Sequence, residues 1–259
     1  ILLKNTNKSY AAETTVDGVT YVYTQNGSNA ENVYISKYNG EDIPKRTVTE
    51  INMPQQLDGY TITNIGDGVN NILGKRAYNC IDTYIIDRYI YKIKLTLPSN
   101  LVKINDNALS GIQFESSTIV LPSTLQTIGK SAFSNSNFHY LGGTLVIPDS
   151  VTEIQDYAFA NSFYGMQYNE VTDSVQWVPS TEAVAKWWRS FPNGGTNITF
   201  GTGLKKIGEG AFLNQPYITA ITIPSNVDEI GKGAFLGSGL EQINIQNRST
   251  DLIIGDNAF

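Results

Sequence analysis

Ile218-Thr-Ala-Ile-Thr-Ile-Pro-Ser-Asn-Val-Asp-Glu-Ile-Gly-Lys-Gly-Ala-Phe235 decides how the rest of the chain is read. Its alternation at Ile221-Thr222-Ile223 is that of a strand with both Ile side chains turned inward and Thr222 outward. Pro224 has no amide hydrogen and stops the strand. Val227 and Ile230 are expected to turn back into the core. Gly231 is expected to supply a backbone geometry that a β-branched residue would resist. Ala234-Phe235 closes the unit, the ring filling the interior and the small Ala letting a neighbour approach.

The same stretch recurs as Ser117 to Phe133 and as Thr144 to Phe159, with looser copies at Lys92 to Leu109, Asn197 to Phe212, Val48 to Val69 and Leu240 to Phe259. That makes seven copies. Pro98 to Pro122 is 24 residues, Pro122 to Pro148 is 26, Phe212 to Phe235 is 23 and Phe235 to Phe259 is 24. These periods fall within the 20–29 residues of a leucine-rich repeat. No single unit can bury its apolar side chains alone, so the copies must stack. The expected fold is a leucine-rich-repeat solenoid, β-rich within the α/β horseshoe class, with one parallel sheet on its concave face. Residues 48–259 form it.

Residues 1–47 stand outside the repeat. Val19 to Tyr23 and Val33 to Tyr38 flank Gln25-Asn-Gly-Ser-Asn29, a β-hairpin signal with its turn at Asn26-Gly27. This hairpin is expected to cap the first coil. No comparable segment follows the last copy, so that end is expected to fray, to meet a partner or to be continued by further chain. Insertions at 70–91 and 160–196 break the period. The second holds Trp177, Trp187 and Trp188. Within it, Ser180 to Phe191 reads as a helix capped by Ser180 and ended by Pro192. A rival reading makes Val175-Gln-Trp-Val-Pro179 a degenerate eighth strand.

The signature Ile-Pro-x-x-Val-x-x-Ile-Gly-x-x-Ala-Phe, intact from Ile223 to Phe235, resembles the BspA-like leucine-rich repeats of bacteria and some protists. The likeness runs from Val48 to Phe259 apart from the insertions. Asp17-Gly18-Val19-Thr20-Tyr21 ahead of Ile62-Thr63-Asn64-Ile65-Gly66-Asp67 is also similar to the opening of such proteins from host-associated bacteria. The resemblance implies a cell-surface or secreted bacterial protein, adhesive in some members. An export signal is then expected to have been removed ahead of this numbering. No catalytic residue carries over, because the motif consists of core positions. Asn105 and Gln155 stand where the pattern has Gly, and Gly201 where it has Pro.

Composition narrows the function. Charged residues are 16% of the 259, the formal net charge is −6, and no basic run reverses it, which argues against nucleic acid as a partner. No apolar run is long enough for a membrane span. Cys80 is the one cysteine and His139 the one histidine, too distant along the repeat array for a nucleophile–base pair. Asp67, Asp106 and Asp256 recur at equivalent positions but lack the density of a calcium loop. No metal, cofactor or enzymatic activity is expected.

The strands' outward residues are the broader candidate surface: Glu50 and Asn52, Lys94 and Thr96, Thr118 and Val120, Thr144 and Val146, Asn197 and Thr199, Ala220 and Thr222, Gln242 and Asn244. From these, Asn52, Lys94, Thr96, Thr118, Thr144, Asn197, Thr199, Thr222 and Asn244 are the candidate ligand contacts, a neutral Thr- and Asn-rich face suited to a host or cell-surface protein. Their plainer role is that of soluble strand residues. Trp177, Trp187, Trp188 and Arg189 form a second candidate, for a protein anchor or for stacking on a glycan. The plainer role there is a small core of the insertion's own.

Overall fold

A computed structural model describes residues 11–44, 48–69, 71–73, 92–114, 119–136, 144–160, 166–169, 174–177, 197–215 and 218–259. The chain opens with an antiparallel meander of β1 (Ala11–Val16), β2 (Val19–Asn26) and β3 (Asn29–Tyr38). The last β2–β3 pair is Asn26 with Asn29, so the two turn residues are Gly27 and Ser28, one place later than Asn26-Gly27. Gly27 carries φ +59° at the first turn position, where a two-residue hairpin favours glycine. Tyr23 on β2 donates to Asp58 Oδ2 at 2.7 Å, and Thr14 on β1 donates to its Oδ1 at 3.0 Å. This ties the meander to the turn between β5 (Gln56–Leu57) and β6 (Tyr60–Ile62).

Each repeat then contributes to two parallel ladders, not to one. The first ladder is built from β4 (Val48–Asn52), β8 (Lys92–Thr96), β10 (Gln113–Phe114), β12 (Thr144–Val146), β16 (Asn197–Thr199), β18 (Ala220–Ile223) and β20 (Gln242–Ile245). It follows the predicted strands except at β10, which lies ahead of the strand expected at Thr118 to Val120; residues 119–120 are in no strand. It is broken into β10-β8-β4, β12-β16 and β18-β20. The second is unbroken and uses only two residues per coil: β7 (Asn64–Ile65), β9 (Lys103–Ile104), β11 (Thr127–Ile128), β13 (Glu153–Ile154), β17 (Lys206–Ile207), β19 (Glu229–Ile230) and β21 (Ile253–Ile254). Parallel pairing of Val33 with Ile65 joins β3 to this ladder, so the meander and the seven coils share one 12-stranded sheet. No helix occurs among the described residues, which corrects the α/β expectation. A two-residue strand and a turn take the place that a helix would occupy.

The core lies between the ladders. Ile65, Ile104, Ile128, Ile154, Ile207 and Ile230 enter it from the short strands, and Leu101, Leu125, Val151, Leu204 and Val227 from the preceding bend; all are fully buried. At the third corner the rings of Phe133, Phe159, Phe212, Phe235 and Phe259 form one column. Successive centroids lie 4.9, 5.1, 5.2 and 5.7 Å apart with planes within 7° of parallel. The backbone repeats with them: the Phe amide of each coil donates to the Ala carbonyl of the next, at 2.7–2.8 Å from Phe133 through Phe235.

Gly231, after the core Ile230, does not serve the purpose expected of it, although Gly66 after Ile65 does adopt a left-handed φ of +84°. Gly231 has an ordinary φ, and a Cβ there would meet the Glu209 amide nitrogen at 2.6 Å and Gly208 C at 2.7 Å. The position is small because the preceding coil's backbone lies against it. The left-handed conformation falls two residues later, at Asn107, Ser131, Tyr157, Gly210, Gly233 and Asn257, with φ between +54° and +61°. Asn105, where the pattern has Gly, is accommodated by its amide, which donates to Gly66 O at 2.7 Å and to Asn32 Oδ1 at 3.2 Å.

Both insertions leave the stack undisturbed. β7 pairs with β9 and β13 with β17, so the coils on either side of each insertion are immediate neighbours. Within the second insertion, β14 (Met166–Asn169) and β15 (Ser174–Trp177) form an antiparallel hairpin. This overturns the eighth-strand reading, because a solenoid strand would pair in parallel with its neighbours. The helix expected over 180–191 lies outside the described residues.

Candidate functional site

The candidate surface is the outer side of the first ladder. Most of its strands alternate as the sequence requires: on β4, Thr49 and Ile51 are buried while Val48, Glu50 and Asn52 are exposed, whereas all four residues of β20 are exposed. Thr96, Thr144, Asn197, Thr199, Thr222 and Asn244 all face solvent, as does Lys94. Register aligns them across coils: Glu50 with Lys94, Asn52 with Thr96, Thr144 with Asn197, Val146 with Thr199, and Thr222 with Asn244. Thr118, Trp187, Trp188 and Arg189 lie outside the described residues, as do Cys80 and His139. Trp177 ends β15, which pairs with β14.

Two columns run along this surface. At the β4–β8 end they carry an interlocked polar set. Lys94 Nζ lies 3.1 Å from Glu50 Oε1, Asn52 Nδ2 donates to the same oxygen at 3.5 Å, and Thr96 Oγ1 donates to Asn52 Oδ1 at 2.8 Å. The hydrogen bonds from Lys94 and Asn52, with the Lys94 charge, hold the Glu50 carboxyl below the usual carboxylate range. A carboxylate committed in this way is a poor proton carrier at neutral pH.

Beyond that end the second column becomes β-branched. Thr96, Val120, Val146, Thr199 and Thr222 each stand seven residues before a residue of the continuous short-strand ladder: Lys103, Thr127, Glu153, Lys206 and Glu229 respectively. They therefore occupy one position on five consecutive layers. Val120 is 76% exposed and Val146 55%, although Ile119, Leu121, Leu145 and Ile147 beside them are buried. The sequence reading placed both Val residues on this face but passed over them as contacts. Their signal was the apolar residue at the seven-back position where neighbouring copies have Thr.

Acidic residues join the short ladder. Glu153, Lys206 and Glu229 are register partners on adjacent strands, and Lys206 Nζ lies 3.2 Å from Glu229 Oε1. Asp106 accepts the Lys130 amide at 3.0 Å and Asp156 the Glu209 amide at 2.9 Å, each bridging one coil to the next. Asp67 accepts the Val69 amide at 2.8 Å. Among the described residues, no three His, Cys, Asp or Glu side chains gather where a metal ion could be held.

Stacked coils of this period with parallel ladders, an aromatic column and an open strand face define a leucine-rich-repeat solenoid, a fold class that generally serves as an interaction module. More narrowly, the chain belongs to the BspA type leucine rich repeat region family, whose model matches six copies over residues 47–165 and 191–259. Among curated proteins, none matches the sequence. Solved structures similar to this one include a leucine-rich repeat protein from Bacteroides ovatus ATCC 8483, 16% identical, with a TM-score of 0.45 over 95% of this chain and 68% of that one. The T. pallidum leucine-rich repeat protein TpLRR is 18% identical, with a TM-score of 0.44 over 94% of this chain and 86% of its own. A leucine rich cell surface protein from Faecalibacterium prausnitzii A2-165 is 11% identical, with a TM-score of 0.18 over 91% and 95%.

Proposed function

We propose that this chain is a non-enzymatic recognition module, displayed on a bacterial surface or secreted, that binds a protein through the outer side of its first ladder. The observation that carries the reading is the array of outward Thr, Asn, Val and Gln from Thr96 to Asn244, held in register within β12–β16 and within β18–β20 and backed from Leu95 to Ile223 by buried Ile and Leu. These groups hydrogen-bond and make apolar contact, but the array itself contributes no nucleophile–base pair. The localisation is supported by membership of a family whose bacterial proteins are often found at the cell surface.

Interferometry of the immobilised chain against fibronectin, laminin and collagen, run beside a glycan array, tests this. The double variant Thr199→Arg/Thr222→Arg places two cations on the face without touching the core. Protein binding by the wild type and its loss in the double variant is the expected result. Binding confined to glycans, insensitive to the double variant and lost in Trp187→Ala, would replace the proposal with glycan capture by the insertion.

A further inference from the structure

Within that face, and resting on the protein-binding reading, we infer that Val120 and Val146 are the anchor point, and that they receive one aliphatic or aromatic side chain from an uncharged, extended polypeptide segment. Three observations support this. First, the two Val residues are exposed neighbours on adjacent layers at the centre of the β-branched column, with Thr96 on one side and Thr199 and Thr222 on the other. An apolar centre with a hydroxyl and amide surround is the composition of an interface core and its rim.

Second, charge is absent where it matters. Val120, Thr144, Val146, Asn197, Thr199, Ala220, Thr222, Gln242 and Asn244 are all neutral in a chain of net charge −6, whereas Glu50 and Lys94 stand at one end and are already paired. A charged segment would lose hydration over this array and gain no counter-charge. Binding there is therefore expected to be almost independent of salt.

Third, the spacings select one anchor and not several. Coils repeat at about 4.8 Å, whereas same-side residues of an extended segment repeat at about 6.7 Å. A segment lying along the column can match one side chain to the Val pair, and its next same-side residue falls out of step. The hydroxyls of Thr199 and Thr222 remain for the segment's backbone groups on one side, and Thr96, whose hydroxyl donates to Asn52, can still accept on the other.

Selection of a phage-displayed random dodecapeptide library on the full chain tests the inference. Enriched synthetic peptides are then titrated by fluorescence anisotropy at 50 and 500 mM NaCl. Enrichment of uncharged peptides with a single large apolar residue is expected. Val120→Glu and Val146→Glu should each weaken them at least 10-fold, while Lys232→Glu, exposed and outside this face, and the tenfold change in salt should shift Kd less than 2-fold. Both Val positions are exposed, so melting curves of the variants should overlay the wild type. The inference is overturned by charged or salt-sensitive peptides, by i, i+2 anchor motifs, by no enrichment, or by binding that survives both Val→Glu variants. If such surviving peptides are lost in Thr199→Arg/Thr222→Arg, the face still binds protein and only the anchor is wrong. If they survive that variant as well, the face itself is wrong.

Discussion

Replacing Phe212 by Ala removes the middle ring of the aromatic column. Phe212 is fully buried, stacked on Phe159 at 5.1 Å and on Phe235 at 5.2 Å, with its third side against the Phe200 ring at 5.8 Å and 73°. A buried Phe→Ala change costs about 3–5 kcal/mol. Three aromatic partners, each contributing about 0.5–1.5 kcal/mol beyond area, place this one toward the upper end. Phe259 is the internal control: it has one stacked neighbour at 5.7 Å and is 41% exposed. Its loss should cost roughly half as much or less, since the cavity opens to water. Urea unfolding followed by circular dichroism reads the difference. With m near 3 kcal/mol/M, the Phe212→Ala midpoint should fall by about 1–1.7 M, and that of Phe259→Ala by well under 1 M. A Phe212→Ala midpoint within 0.3 M of Phe259→Ala at unchanged m would mean that the column is not what holds successive coils together.

The two glycines of one coil should respond differently to alanine. Gly231→Ala forces a Cβ onto Glu209 and Gly208 backbone and should cost about 1–3 kcal/mol or more, whereas Gly233→Ala, at φ +59° and meeting only the Leu236 side chain at ordinary contact distance, should cost about 1–2 kcal/mol; the reverse order in urea melts would refute the close-approach argument. Ser131 holds the left-handed position at φ +54°, is fully buried and has no hydrogen-bond partner for its hydroxyl among the described residues. Ser131→Gly should therefore raise stability by about 0.5–1 kcal/mol, net of the extra unfolded-state entropy, and a lowered melting temperature would contradict this. Burial first, then the charge of Asp17, push the Tyr21 phenol well above its usual range, and burial followed by the hydrogen bond to Asp58 raises Tyr23. A raised phenol pKa means the folded state holds protons that the unfolded state has released. Stability should thus be intact below about pH 10 and decline as pH climbs beyond it. Melting temperatures between pH 8 and 12 should show the decline, and a flat profile would rule out these buried phenols as its source.

Core positions were legible because each carries a spacing that only burial explains. Ile221, Ile223, Val227, Ile230 and Phe235 were all assigned inward from one stretch, and all are buried. The second ladder was invisible for a physical reason: Glu229-Ile230 is too short to display alternation, so only pairing with its neighbours makes it a strand. The same limit misdirected the reading of Gly231. Sequence shows that a side chain is missing but not whether backbone angle or an approaching chain excludes it. On the candidate face, outward orientation followed from the pleat. The importance of Val120 and Val146 did not, because a lone Val among Thr residues is ordinary until the layers are superposed. The tryptophan segment gave no comparable test, since Trp187, Trp188 and Arg189 lie outside the described residues.

The direct pairing of β13 with β17 across the second insertion has a bearing on what the scaffold tolerates. Asp156 meets the Glu209 amide over a separation of 53 residues, whereas Asp106 meets that of Lys130 over 24. Chain entropy charges only about 0.7 kcal/mol for the longer excursion, a small sum beside the contacts that any two coils share. Cargo of domain size grafted between Ala160 and Asn197 should therefore leave the coils beneath it in register. In such a molecule, novelty arises at the seams between layers while the layers themselves stay as they are.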